Sequence, residues 1–294
     1  LLDASGVKLT GGYDRPMPST LEFTGAVCVV TGAGSGIGRA LTLRLVRVGA
    51  AHVYVCDIDG ARADAVTAEL TAGGGDATAV TLDVRDADAV ATLAARVYDE
   101  RGRVDLLCNN AGIGHGGAAA DCELEDWRRI VEVNVMGVVH GIHAFLPRMI
   151  AQGGRSQILN TASMAGLVAA PEMAPYTMSK FAIVGLSESL ALELAEHGIG
   201  VTALCPGIID TDIVRSSVMR GRVAAQQQKI TGFYARRGTS PDVVARDALR
   251  GIARGRTIVP TPRYQVTPAW LLKRIFPAAH GALARRLERA VTGA

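Results

Sequence analysis

"AVCVVTGAGSGIGRAL", residues 26–41, joins a β-branched run to a helical one through four glycines, Gly32, Gly34, Gly36 and Gly38. Glycines crowded between a strand and a helix permit a tight turn and let backbone N–H groups approach a pyrophosphate, which then lies at the positive end of the helix. The same alternation continues along the chain. "AHVYVCD" (51–57), "ATAVTLD" (77–83), "VDLLCNN" (104–110), "SQILNTAS" (156–163) and "IGVTALC" (199–205) are short apolar runs, with helices predicted over 36–49, 60–72, 86–101, about 123–151 and 176–197. Runs that are apolar throughout, instead of alternating, mean parallel strands covered on both faces. The fold predicted is α/β, a Rossmann-like doubly wound parallel sheet of about seven strands with helices on both faces, in a single domain.

Composition fits that reading. The 294 residues are 49% hydrophobic, with a mean hydropathy of +0.23, ample for a buried core. Net charge is +3, but residues 250–294 hold nine arginines and lysines against Glu288 alone, a local excess of +8 that leaves the remainder near −5. Cys28, Cys56, Cys108 and Cys205 lie in or at the ends of strand-like runs and no CxxC occurs, so core thiols in a reducing cytoplasm are expected. No apolar run of about 18 residues and no basic-then-apolar leader is visible, which predicts neither a membrane span nor a signal peptide. The chain starts "LLDASGVKLT", without a methionine, as a trimmed chain or a piece of something longer would.

Residues 1–22 read as a polar arm, 23–262 as the catalytic domain and 263–294 as a basic amphipathic segment with helix from about 268. Within the domain, 207–239 is too irregular for a core element and predicts a mobile substrate flap or short helices over the strand ends. A helix at 241–254 and a short strand "TIVP" follow.

Two features carry chemistry beyond the glycine loop. Asp57 ends the second strand, 19 residues after Gly38, where a carboxylate accepts hydrogen bonds from an adenosine ribose and repels a 2′-phosphate. That favours NAD over NADP, although Arg39 stands near enough to serve a phosphate. "PYTMSKFAIVG" (175–185) sets Tyr176 and Lys180 four apart on one helix face, in a chain with only four lysines among 31 basic residues. A phenol is a poor base near neutrality unless a neighbouring cation favours the phenolate, and a compact ammonium suits that task.

These residues resemble the short-chain dehydrogenase/reductase family over about 23–212. "TGAGSGIG" (31–38) is similar to its cofactor loop, "NNAG" (109–112) to its strand-four motif, "NVMG" from Asn134 to its catalytic asparagine segment and "PGIIDT" (206–211) to its proline-glycine turn. Ser163 stands 13 before Tyr176, as that family's serine does, and Tyr176 with Lys180 matches its YxxxK. The resemblance implies Asn134, Ser163, Tyr176 and Lys180 as catalytic residues: Tyr176 as general acid/base, Lys180 lowering its pKa and holding the nicotinamide ribose, Ser163 donating to the developing oxyanion, and Asn134 fixing a relay water. It implies cofactor contacts from Gly32, Ser35, Gly36, Ile37 and Gly38, from Asp57, from Asp83 and Val84 at the adenine edge, and from Asn110, Ala111 and Gly112 near the adenosine ribose. It places Pro206, Gly207, Ile209 and Thr211 beside the nicotinamide. It also implies a homo-oligomer, a dimer or tetramer, through the two long helices.

The expected activity is hydride transfer between NAD and a secondary alcohol or ketone with a bulky apolar body, steroid, polyketide, terpenoid or acyl in type. The apolar walls at 166–174 and at Ile208, Ile213, Val214, Val218 and Met219 suggest it, and an NAD preference favours oxidation. The alternatives are an NADPH-dependent biosynthetic ketoreductase, a domain of a larger enzyme, or a dinucleotide-sensing binding protein. His140 and His143 read as helix surface rather than zinc ligands, Trp127 and Met136 as packing, and His115 as either a substrate contact or a solvated loop residue. The basic tail either lies on an anionic membrane, caps the cleft or solvates a terminal helix. With aromatics at 4% no nucleic-acid platform is expected.

Overall fold

The computed structural model describes residues 23–278 and residue 281. The proposed arm, 1–22, and most of the tail beyond residue 278 lie outside the described residues. Seven parallel strands form the main sheet: β1 (Val27–Thr31), β2 (His52–Asp57), β3 (Ala77–Thr81), β4 (Leu106–Asn109), β6 (Ser156–Thr161), β7 (Ile199–Pro206) and β9 (Ile258–Thr261), in the order β3-β2-β1-β4-β6-β7-β9. Two-residue strands β5 (His115–Gly116) and β8 (Val218–Met219) pair separately, a feature the sequence pattern does not show.

The period of two explains why the strand runs are apolar throughout. Cys28 and Val30 enter one core with Val53 and Val55, beneath α1 (Gly36–Arg47), α2 (Gly60–Ala72) and α10 (Pro241–Ala253). Val27 and Val29 enter the opposite core with Tyr54 and Cys56, beneath α3 (Ala87–Arg101), α5 (Gly137–Gln152) and α6 (Ala174–Glu193). Helix starts follow local chemistry. Asp59, Asp86 and Ser240 cap α2, α3 and α10 by accepting the N–H groups of Arg62, Ala89 and Asp242, and Gly102 closes α3 at φ 71°.

α4 (Leu124–Val131) runs through a π turn, Glu132–Met136, into α5, giving one helical stretch from Leu124 to Gln152. This stretch is by length and composition long and apolar enough to cross a membrane, its most apolar part having a mean hydropathy of 1.4, although charged residues interrupt its apolar run. In this fold Ile130, Val138, Phe145 and Met149 are its buried apolar side chains, the last two packed on the sheet. Met136, expected to pack, is instead 37% exposed.

The segment after β7 is built of short helices, α7 (Ile213–Ser216), α8 (Gly221–Ala225) and α9 (Gln227–Arg237), with β8 between them. The last helix, α11 (Arg263–Ile275), starts five residues before position 268, where the sequence places it. Pro268 sits on the outward face, so the carbonyl it deprives of a partner, one turn back, meets solvent.

Candidate active site

The strand order reverses between β1 and β4, and the loops leaving those two strands border the resulting crevice. Thr31 joins them: its hydroxyl accepts the N–H groups of Asn110 (3.0 Å) and Ala111 (3.1 Å). The Asn110 amide donates to the carbonyls of Thr31 (3.0 Å) and Gly32 (3.2 Å), and its oxygen accepts from Thr161 (3.1 Å). The Asn110 side chain is therefore a clamp among three strand ends, and any ligand contact from this residue would come from its backbone.

The glycine loop is packed as a cradle. A Cβ at Gly38 would lie 2.1 Å from the Gly32 carbonyl oxygen, and one at Gly36, where φ is 50°, 3.1 Å from Thr211. Ser35, the N-cap of α1, makes no side-chain cap bond, and no acidic residue occupies the first turn. The positive end of α1 is thus unshielded, an arrangement that fits a pyrophosphate. Asp57 takes the Gly34 N–H at 2.8 Å and the Asp59 N–H at 3.0 Å. Arg39 is held away by Glu69 at 2.7 Å, whereas Arg62, which the sequence reading passed over, has its Cβ 2.7 Å from where a Gly34 Cβ would stand.

Asp83 lies two residues beyond the end of β3 and forks onto Arg85 at 2.6 Å, which holds its carboxyl below the usual range. The neighbouring Val84 carbonyl meets His140 Nδ1 at 2.9 Å. Across the crevice, Pro206 ends β7, the Gly207 N–H binds the Thr261 carbonyl at 2.8 Å, and Ile209 is buried.

At the C-terminal ends of β4 and β6 four polar side chains gather. Asn134, fully buried, sits in the π turn, whose wider winding is a recurrent device at functional sites. Its oxygen accepts the Ile113 N–H (2.8 Å), and its amide donates to the Ile113 carbonyl (2.9 Å) and to Ser179 (3.1 Å). Ser179 in turn donates to the Tyr176 carbonyl at 2.7 Å, so Asn134 locks the loop after "NNAG" to α6. Lys180 is 4% exposed and donates to the Thr161 carbonyl at 2.9 Å, with its Nζ 5.7 Å from the centroid of the Tyr176 ring. Gly112 leaves a gap between them: a Cβ there would stand 3.2 Å from Asn134 Oδ1 and 3.4 Å from Lys180 Nζ. Ser163 caps a short 3₁₀ turn by accepting the Ala165 N–H at 3.1 Å.

Burial pushes the Tyr176 phenol up to about 12, opposed by a hydrogen bond with Ser163 and reinforced by the Tyr234 phenol of α9. Burial also takes the Lys180 ammonium down to about 8. Burial is the leading cause of both shifts in the cofactor-free protein.

The flap is tied across this site. β8 pairs with β5, Arg220 forks onto Asp126 at 2.9 and 3.0 Å and reaches Glu123 at 3.2 Å, and Arg222 pairs with Glu172. His115, in β5, is neither solvated nor at a loop tip: it is 3% exposed, with Nε2 3.6 Å from Asp126 Oδ2. Because Asp126 is buried and charge-paired, Arg220→Ala is expected to loosen the flap, raising KM for substrate about fivefold and changing cofactor affinity by less than about twofold. Steady-state kinetics and cofactor titration check this; an unchanged KM would mean that the other ties suffice.

A family profile described as short chain dehydrogenase matches residues 26–220. The chain belongs to the short-chain dehydrogenase/reductase family. Among relatives of this short-chain dehydrogenase, the protein named Probable oxidoreductase EphD of Mycobacterium tuberculosis is 36% identical over 269 residues, 90% of this chain and 45% of the relative. The chain therefore spans somewhat less than half the length of those relatives. The 1-deoxy-11-beta-hydroxypentalenate dehydrogenase of Streptomyces exfoliatus is 41% identical over 189 residues, covering 64% of this chain and 68% of that one. A short-chain dehydrogenase/reductase from Burkholderia phymatum, solved in complex with NAD, superposes with a TM-score of 0.80 at 33% identity, covering 86% of this chain and 94% of that one.

Proposed function

We infer that this short-chain dehydrogenase moves a hydride between NAD and a secondary alcohol or ketone with a bulky apolar body. The observation that carries the reading is the buried Tyr176–Lys180 pair, one helical turn apart, beside Ser163 and the switch-point crevice. Bound nicotinamide supplies or accepts the hydride. In reduction, the Tyr176 O–H gives its proton to the carbonyl oxygen while the Ser163 hydroxyl donates a hydrogen bond to the same oxygen; oxidation reverses both. The protonated phenol is the form that donates in reduction, and an NAD preference favours oxidation. The Lys180 ammonium and the gap over Gly112 offer a route for resupplying that proton past Asn134.

Asp57 and the withdrawal of Arg39 onto Glu69 support NAD. Arg62 supports a second reading, an NADPH-dependent ketoreductase, since it stands over the same loop. The partly exposed apolar residues Ile208, Ile213, Val218 and Met219 after β7 support an apolar substrate, and the Streptomyces relative is named for a hydroxypentalenate. Cytoplasmic location and homo-oligomer formation through α5 and α6 complete the proposal, the latter supported by the exposure of Met178, Phe181 and Leu192 on α6.

The test is a panel of apolar secondary alcohols and ketones assayed with both cofactors. NADH is expected to give kcat/KM at least about tenfold above NADPH, and Asp57→Ser to erase most of that ratio. NADPH turning over far better than NADH would hand the case to Arg62 and the second reading. No turnover of any carbonyl or alcohol with either cofactor would remove the enzymatic reading.

A further inference from the structure

α11 has two apolar faces, and among the described residues only one of them is packed against the rest of the chain. Val266 is buried, Ala269 and Trp270 pack against the core, and Lys273 lies on the same stripe, at spacings i, i+3, i+4 and i+7. Lys273 reaches inward, donating to the Leu167 carbonyl at 2.8 Å and standing 4.3 Å over the Phe181 ring. Gln265 adds a second tie by accepting the Ile208 N–H at 2.9 Å. The opposite stripe, Tyr264, Pro268, Leu271 and Ile275 at i, i+4, i+7 and i+11, faces outward. Tyr264 is 73% exposed, Leu271 48%, Ile275 63% and the adjoining Phe276 60%. A helix needing only to cap the cleft would carry polar residues there.

The charge around this stripe selects its occupant. α11 itself carries Arg263, Lys273 and Arg274 and no carboxylate. Arg263 and Arg274 flank the stripe on one side, Arg274 lying 5.7 Å over the Trp270 ring. A second copy meeting this face through the same helix would set cations against cations. An anionic bilayer supplies both an apolar interior for Leu271, Ile275 and Phe276 and a negative surface for the flanking cations.

We propose that α11 is a peripheral membrane contact that lays its outward stripe on an anionic lipid surface. The same helix braces Ile208 and Leu167 through its inward side, so docking holds α11 between the lipid surface and the rim of the substrate cleft proposed above.

The full chain is sedimented with vesicles of phosphatidylcholine alone or of equimolar phosphatidylcholine and phosphatidylglycerol. Partitioning to the anionic vesicles is expected to exceed that to the neutral ones by at least about tenfold and to weaken as salt is raised. The double substitution Leu271→Asp, Ile275→Asp should cut binding by about tenfold or more, with the thermal midpoint and the turnover of a water-soluble alcohol unchanged. Equal binding by the double variant, or no binding of the parent to anionic vesicles, overturns the proposal. So does a larger species in sedimentation velocity that the variant loses while vesicles capture neither protein, which would identify a second copy as the occupant.

Discussion

Tyr176→Phe is expected to lower kcat for ketone reduction by about a thousandfold while leaving NADH affinity within about twofold of the parent. The phenyl ring keeps the packing of a side chain that is only 8% exposed, and Lys180 keeps its bond to the Thr161 carbonyl. What is lost is the O–H group, the one acidic proton next to Ser163 in an environment that holds it on oxygen up to about pH 12. A positioned general acid contributes in that range, so removing it acts on the chemical step and not on binding. Single-turnover kinetics with pre-bound NADH separates the two. A variant with parental kcat would show that another donor serves, and Tyr234, whose phenol is also raised by burial and lies close enough to influence Tyr176, would be examined next.

The sheet and the glycine cradle were readable because they rest on local pattern. Strand runs without alternation can only be covered on both faces, and Gly36 and Gly38 stand where backbone or Thr211 comes too close for a Cβ. The positions of Tyr176, Lys180, Ser163 and Asn134 were legible from spacing and resemblance, and the structure brings all four to one corner. What the spacing cannot carry is the environment. The upward shift of Tyr176 arises from burial, with a smaller contribution from the Tyr234 phenol of the flap helix α9, and no property of "YTMSK" predicts it. Ser179, inside that motif, carries no local signal of its role, because it ties the Tyr176 carbonyl to Asn134, 45 residues before it in the chain. His115 seemed a loop residue because β5 exists only through its pairing with β8, about a hundred residues later.

Replacing Lys180 by methionine is expected to stabilise the cofactor-free protein at pH 7, by an amount that shrinks as pH rises. Folding takes this ammonium from its ordinary 10.5 down to about 8. At pH 7 both states carry the proton, and the folded state bears the whole cost of burying the charge, about 3 kcal/mol at the conversion of ~1.4 kcal/mol per unit. Between about pH 8 and 10.5 the folded lysine is neutral while the unfolded one remains charged, so the unfolded state binds more protons and stability rises with pH. Loss of the hydrogen bond to Thr161 offsets about 1 kcal/mol of the gain in the variant. Tyr176 and the strand thiols Cys56 and Cys205, all raised to about 12, act in the opposite sense above their ordinary values, because the unfolded forms ionise first. Parent and variant share those groups, so the quantity to follow is the difference between their urea midpoints from pH 7 to 9.5. That difference should close steadily above pH 8. If it stayed constant, the ammonium would be keeping its proton through that range, and burial would not be the force that governs this pair. A methionine that stabilises the fold while abolishing turnover would show what the protein gives up in stability to keep a buried cation beside the proposed proton donor.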